Sequence, residues 1–109
     1  MGMDVSTFRK LVALDVNDPL NRFGLGKKLF EQEQSQEALT EAAEHLRFAN
    51  ARAPEHLATY HVLGQVLIKL GQTQEAKQVL QAGCERSAGV VEGMGRDLGP
   101  AMAQLLASL

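Results

Sequence analysis

The chain has 109 residues, 45% of them hydrophobic, which suits one small globular domain with a modest core. Its 11 basic and 13 acidic residues leave a net charge of −2 with no run of lysine or arginine, so nucleic acid is not an expected partner. No charged-then-apolar leader opens the chain and no apolar run approaches the roughly 20 residues that cross a bilayer. The single cysteine, Cys84, excludes an internal disulfide. The expectation is a protein of the reducing cytoplasm, with no membrane partner.

Apolar spacing and helix-favouring composition predict helices over 4–16, 19–32, 35–52, 55–70, 73–88 and about 97–108. The second contains "FGLGKKLF" at 23–30, whose glycines and lysines invite a phosphate-loop reading. That reading fails because Leu29, not Ser or Thr, follows Lys28 and no strand precedes the glycines.

A better account comes from an internal repeat. Shifted by 38 residues, "LGKKLFEQEQSQEA" (25–38) aligns with "LGQVLIKLGQTQEA" (63–76), half the positions being identical. Leu25, Gly26, Leu29 and Ala38 recur as Leu63, Gly64, Leu67 and Ala76. Each copy places an apolar helical stripe before a hydroxyl residue, Ser35 or Thr73, expected to cap a second helix. Each unit is therefore helix, turn, helix. A glycine inside a helix costs about 1 kcal/mol relative to alanine, so its presence in both copies implies close helix packing. Gly26 is expected to face Ala38, and Gly64 to face Ala76. Gly24 has no counterpart, since Val62 stands in its place, and the repeat offers no reason for it.

Downstream, glycines at 89, 93, 95 and 99 in "AGVVEGMGRDLGP" predict a loop or hinge over 89–96. A lone Gly-x-Gly there lacks the strand and acidic follower of a dinucleotide site. Pro100 is expected in the first turn of the last helix, which carries Leu98, Met102, Leu105, Leu106 and Leu109 at helical spacing. That helix should form a lid over the end of the stack, or dock on another chain as a homo-oligomer contact. Met94 and Met102 are candidates for an adaptable apolar contact.

Metal and catalytic readings fare poorly. His56 and His61 lie five apart, about 500° around a helix, and so share no face. Glu41 and His45 form an ordinary i,i+4 pair. Cys84 falls on the apolar stripe of Ala76, Val79, Leu80 and Gly83, as a buried small side chain would. No nucleophile-base constellation stands out, so no enzyme activity, metal or cofactor is expected.

Residues 58–83, "ATYHVLGQVLIKLGQTQEAKQVLQAG", resemble a tetratricopeptide repeat through Tyr60, Leu63, Gly64, Leu67, Gly71, Ala76, Leu80 and Gly83, with Pro54 just before. The first copy keeps Leu25, Gly26, Leu29 and Ala38 but has Glu33 in place of the turn glycine. From Ala38 to Pro54 it exceeds the family period of 34 by four residues, read as one extra turn of its second helix. The chain is similar to small bacterial two-repeat proteins of this family. The resemblance implies an all-α fold of antiparallel helix-turn-helix repeats stacked as a short right-handed superhelix. Its layout within one domain, 1–109, is a half-repeat helix (4–16), repeat 1 (19–53), repeat 2 (54–88), a glycine-rich loop (89–96) and a capping helix (97–109).

The resemblance also implies a concave groove that binds a protein or peptide. By position it is lined by Phe23, Lys27, Phe30 and Glu31 from the first copy and His61, Gln65, Ile68 and Lys69 from the second. Phe23 and Phe30 have a plainer reading as packing against the first helix or the lid. The Lys-Asn-Arg clamp with which some repeats hold acidic chaperone tails is not matched, because Phe23, Lys27 and Val62 stand at those positions. The implied function is that of an adaptor; a self-associating structural unit and a dedicated client chaperone are the alternatives.

Overall fold

The computed structural model describes residues 3–88 and 95–109, with 95 and 96 described in their backbone alone. Among them lie six helices: α1 (Val5–Leu14), α2 (Pro19–Gln32), α3 (Gln36–Arg52), α4 (Leu57–Lys69), α5 (Thr73–Ser87) and α6 (Gly95–Ala107). The chain divides into two compact units, Met1–Pro54 and Glu55–Leu109.

In the first unit, short polar side chains start each helix. Asp4 accepts from Thr7 N–H at 2.9 Å to begin α1. Asp18 accepts from Leu20 N–H at 2.9 Å to begin α2, where Pro19 occupies the first helical position and has no N–H to leave unpaired. Ser35 caps α3 through Ala38 N–H at 3.0 Å, as expected. α1 is shorter than the predicted 4–16: Asp15 turns extended after Leu14, and its carboxylate accepts from Asn17 N–H at 3.2 Å, closing an Asx turn instead of another helical turn.

α2 and α3 pack as an antiparallel pair over Leu25, Leu29, Leu39 and Leu46, all 5% exposed or less. The glycine contacts correct the expected register. A Cβ on Gly26 would lie 2.7 Å from Leu46 Cγ and 3.2 Å from the Ala42 carbonyl oxygen, so the glycine faces that turn of α3 instead of Ala38. The reason is geometric: in an antiparallel hairpin, a residue two turns before the connection meets one two turns after it, and Ala38 is still in the first turn of α3. Ala38 is buried, 5% exposed, but not as the glycine's closest neighbour. Gly24 also gains its reason, because a Cβ there would enter the Phe8 ring, which lays α1 along α2.

The second unit repeats the pair. A Cβ on Gly64 would come 2.5 Å from Leu80 Cδ2, so Leu80, not Ala76, is the partner, although Ala76 is fully buried nearby. Two other local expectations change. Thr73 lies inside α5 as its first residue, Gln72 preceding it without a side-chain cap bond. The left-handed turn residue is Gly71 in the second copy (φ 77°) but Gln34 in the first (φ 52°), one place beyond Glu33, which stays in the helical region. The bond from Gln72 N–H to Leu67 O (2.9 Å) recurs from Gln34 N–H to Leu29 O (3.2 Å). The helix is thus terminated alike with two different residues in the left-handed conformation. α3 has 17 residues against 15 in α5, somewhat less than the full extra turn expected.

α6 packs on both α4 and α5. Its Met102 is fully buried with Tyr60 and Leu80, and Leu98, Leu105, Leu106 and Leu109 pack around them. Gly83 makes the seat, since a Cβ there would lie 2.5 Å from Met102 Sδ and 2.8 Å from Tyr60 Cβ. The capping helix begins earlier than the predicted 97: Gly95 and Arg96 are helical, and Pro100 sits in the second turn and not the first. The remainder of the predicted 89–96 loop, together with Met94, lies outside the described residues.

Candidate interaction faces

The residues expected to line the groove fall at i, i+4, i+7 and i+8 on α2 and again on α4, so each set shares one helical face. On α2, Lys27 and Glu31 are exposed and Phe23 and Phe30 are half-buried. Lys27 Nζ stands 4.0 Å and Lys28 Nζ 3.3 Å from the Glu31 carboxylate, which keeps the charges of this face locally balanced. On α4, Lys69 is exposed while His61 and Gln65 are half-buried. Burial holds the His61 imidazole below its ordinary pKa. Ile68 departs from the expectation: it packs against the Tyr60, Leu80 and Met102 cluster of its own unit, where α6 supplies apolar surface.

A second arrangement escaped the sequence reading. Arg9 of α1 grips Glu41 of α3 with two parallel bonds, at 2.6 and 2.9 Å. This fork holds the Glu41 carboxyl below the usual carboxylate range, helped by His45 and opposed by burial. His45 Nε2 lies 3.1 Å from Glu41 Oε2, and the Arg22 guanidinium lies 3.3 Å from His45 Nδ1. An arginine only donates, so His45 Nδ1 must be the bare nitrogen and Nε2 must carry the hydrogen toward Glu41. Arg22 also donates through Nε to the Val16 carbonyl at 2.9 Å and places its Cζ 4.3 Å from the Phe48 ring centroid. Arg52 approaches the same ring at 4.7 Å. Sequence reading singles out only the Glu41/His45 pair; Phe48/Arg52 has the same i,i+4 spacing, which could have flagged it, whereas Arg9 and Arg22 come from other helices and leave no periodic signal.

Among the described residues, no three of His, Cys, Asp and Glu come together as a metal site. Cys84 is half-buried, its thiol 4.0 Å from the Gly99 carbonyl. No helix among the described residues is long and apolar enough to cross a membrane.

Paired antiparallel helices, joined by matching turns and seated glycine against large side chain, define an all-α helix-turn-helix repeat protein. Comparison with protein families matches residues 29–87, more than half of the chain, to the tetratricopeptide repeat. The chain belongs to the tetratricopeptide repeat family, whose members generally mediate protein-protein interactions. A comparison with curated proteins found no match.

Proposed function

We propose that the protein is a non-enzymatic adaptor whose two units each present an equivalent face to a peptide or partner helix, that of α2 in the first unit and that of α4 in the second. Phe23, Lys27, Phe30 and Glu31 serve on the first, and His61, Gln65 and Lys69 on the second. The observation that carries this reading is the recurrence of one face in both copies: half-buried side chains at the first position, an exposed charge at the last. Partly buried rings provide apolar contact without large exposed patches, and the neighbouring charges set the register of a ligand. Ile68 contributes to the core beneath that face. The test is to select binding peptides from a displayed random library and measure their affinity by fluorescence anisotropy. Replacing Phe30, Lys27 and Lys69 by alanine should weaken the selected peptides by about tenfold, roughly 1.4 kcal/mol. Undiminished binding by the triple variant would refute the assignment of these faces.

Self-association is the second reading, and the observation that favours it lies where α1 runs into α2, not on α6. Leu14 is 84%, Val16 50% and Leu20 55% exposed, whereas Met102 of α6 is fully buried. A dimer mass in dilute solution that reverts to monomer in Leu14→Glu supports it; a monomer at all concentrations counts against it.

A further inference from the structure

Phe48 gathers two cations from different helices. Arg22 comes from the beginning of α2 and Arg52 is the last residue of α3. Their Cζ atoms lie 4.3 and 4.7 Å from the ring centroid, which places the two guanidinium groups within about 9 Å of each other.

Neither arginine meets a carboxylate among the described residues. Arg22 spends Nε on Val16 O and one terminal nitrogen on His45, leaving the other without a hydrogen bond. Arg52 is exposed, and among the described residues its side chain makes no hydrogen bond, its ring contact apart. Two acidic groups of the same unit are engaged elsewhere. Asp18, one turn before Arg22, accepts from the first N–H groups of α2. Glu41 is held by Arg9 and His45. By contrast, exposed Lys27 and half-buried Lys28 share Glu31. A pair of unneutralised, ring-supported guanidinium groups is therefore built into a protein whose net charge is −2.

We propose that Arg22, Phe48 and Arg52 form a binding site for an acidic segment of a partner protein, extended and carrying carboxylates two residues apart. In an extended chain, side chains at i and i+2 point to one side and stand about 7 Å apart, within the span of the two guanidinium groups. Each arginine then takes one carboxylate through its planar fork. The Phe48 ring keeps both guanidinium planes from wandering, which lowers the entropy lost on binding. Arg22 precedes Phe23 by one residue, about 100° around α2, so this site is separate from the adaptor face and does not depend on it.

The probe is a labelled octapeptide with aspartate at alternate positions, titrated into the full chain at low salt. Saturable binding is expected, weakened about fivefold or more by Arg52→Gln and by the matching peptide with asparagine for aspartate, and weakened again by raising the salt to about 0.2 M. Arg52→Gln removes one exposed ring contact and no side-chain hydrogen bond, so it should stay fully folded at the assay temperature by circular dichroism, and lost affinity then reports on the site and not on folding. Lys27→Ala should bind the probe unchanged, which separates this site from the adaptor face. No saturation at about 1 mM peptide, equal binding by Arg52→Gln, or equal binding of the asparagine peptide would each overturn the proposal.

Discussion

Gly64 lies against Leu80 with no room for a methyl group: a Cβ would stand 2.5 Å from Cδ2 and 2.7 Å from Cγ of a side chain that is itself fully buried. Two effects oppose each other when alanine is placed there. Helix propensity favours alanine by about 1 kcal/mol. Overpacking a rigid core costs about 1–3 kcal/mol, and Leu80 is fully buried in a cluster with Tyr60 and Met102. Gly64→Ala should therefore lower stability, and Gly64→Leu by a few kcal/mol. Gly26→Leu should behave likewise, since the Ala42 backbone oxygen lies 3.2 Å from its added carbon and cannot rotate away. Urea unfolding checks all three; unchanged midpoints would contradict the close approach.

Ser35 and Thr73, equivalent in the repeat, should respond differently to alanine. Ser35→Ala removes the bond to Ala38 N–H and should cost about 1 kcal/mol. Thr73 caps nothing and lies in the first turn of α5, so Thr73→Ala should leave the melting temperature unchanged or raise it slightly. A similar loss in both would restore Thr73 as a cap.

The two turns give a second contrasting pair. Gly71 has φ 77° and nothing within 4 Å of a Cβ position, so only backbone strain opposes a side chain there. Gly71→Ala should cost about 1 kcal/mol. Gln34 already bears that strain at φ 52°, and Gln34→Gly should stabilise by about 0.5 kcal/mol after the extra freedom of glycine in the unfolded chain is deducted. Differential scanning calorimetry resolves both signs.

Acid should weaken the first unit through Glu41. Its folded-state pKa is depressed, first by the hydrogen bond from Arg9, so its stabilising contribution is complete above the ordinary value of 4.5 and is lost as pH falls through the lowered one. His61 follows the same sign for another reason: burial disfavours its charged form, so stability is lost as pH drops below 6.5 through its lowered pKa. Unfolding free energy measured from pH 7 to pH 3 should fall in both windows. Glu41→Gln should flatten the lower one and His61→Asn the upper one.

Lys27 and Lys69 are exposed and should matter for binding rather than for folding. The Lys27–Glu31 pair, i,i+4 at 4.0 Å, is worth about 0.3–0.5 kcal/mol at most. Lys27→Ala combined with Lys69→Ala should melt close to the wild type while weakening any acidic ligand of the adaptor face. A large drop in melting temperature would mean these side chains support the fold.

Much of this protein can be read from its sequence because its order is local. Asp18 followed by Pro19, the Leu-Gly-x-x-Leu stripe and the 38-residue repeat each depend on neighbours a few residues away or on copying, and α2 appears at its expected bounds. The errors fall where tertiary geometry decides. Periodicity assigns Gly26 to a helix face but cannot choose between Ala38 and the Ala42/Leu46 turn, because that choice depends on how the connection folds. Proline rules place Pro100 in a first turn, yet the helix extends back to Gly95. Gly24 had no repeat counterpart because its partner, Phe8, belongs to the half unit, which occurs once. The Arg22 and Phe48 contact joins residues 26 positions apart on two helices, a distance at which one chain carries no pattern.

Gly83 has a practical meaning for anyone engineering the protein. Its missing side chain opens the socket that Met102 fills, and the same methionine shields Tyr60 and Leu80 from water. A recombinant version trimmed before α6 would thus carry an oily hole in place of a finished surface, and would be prone to clump. Any cut or fusion on that side of the chain should leave α6 intact, so that the plug stays in its socket.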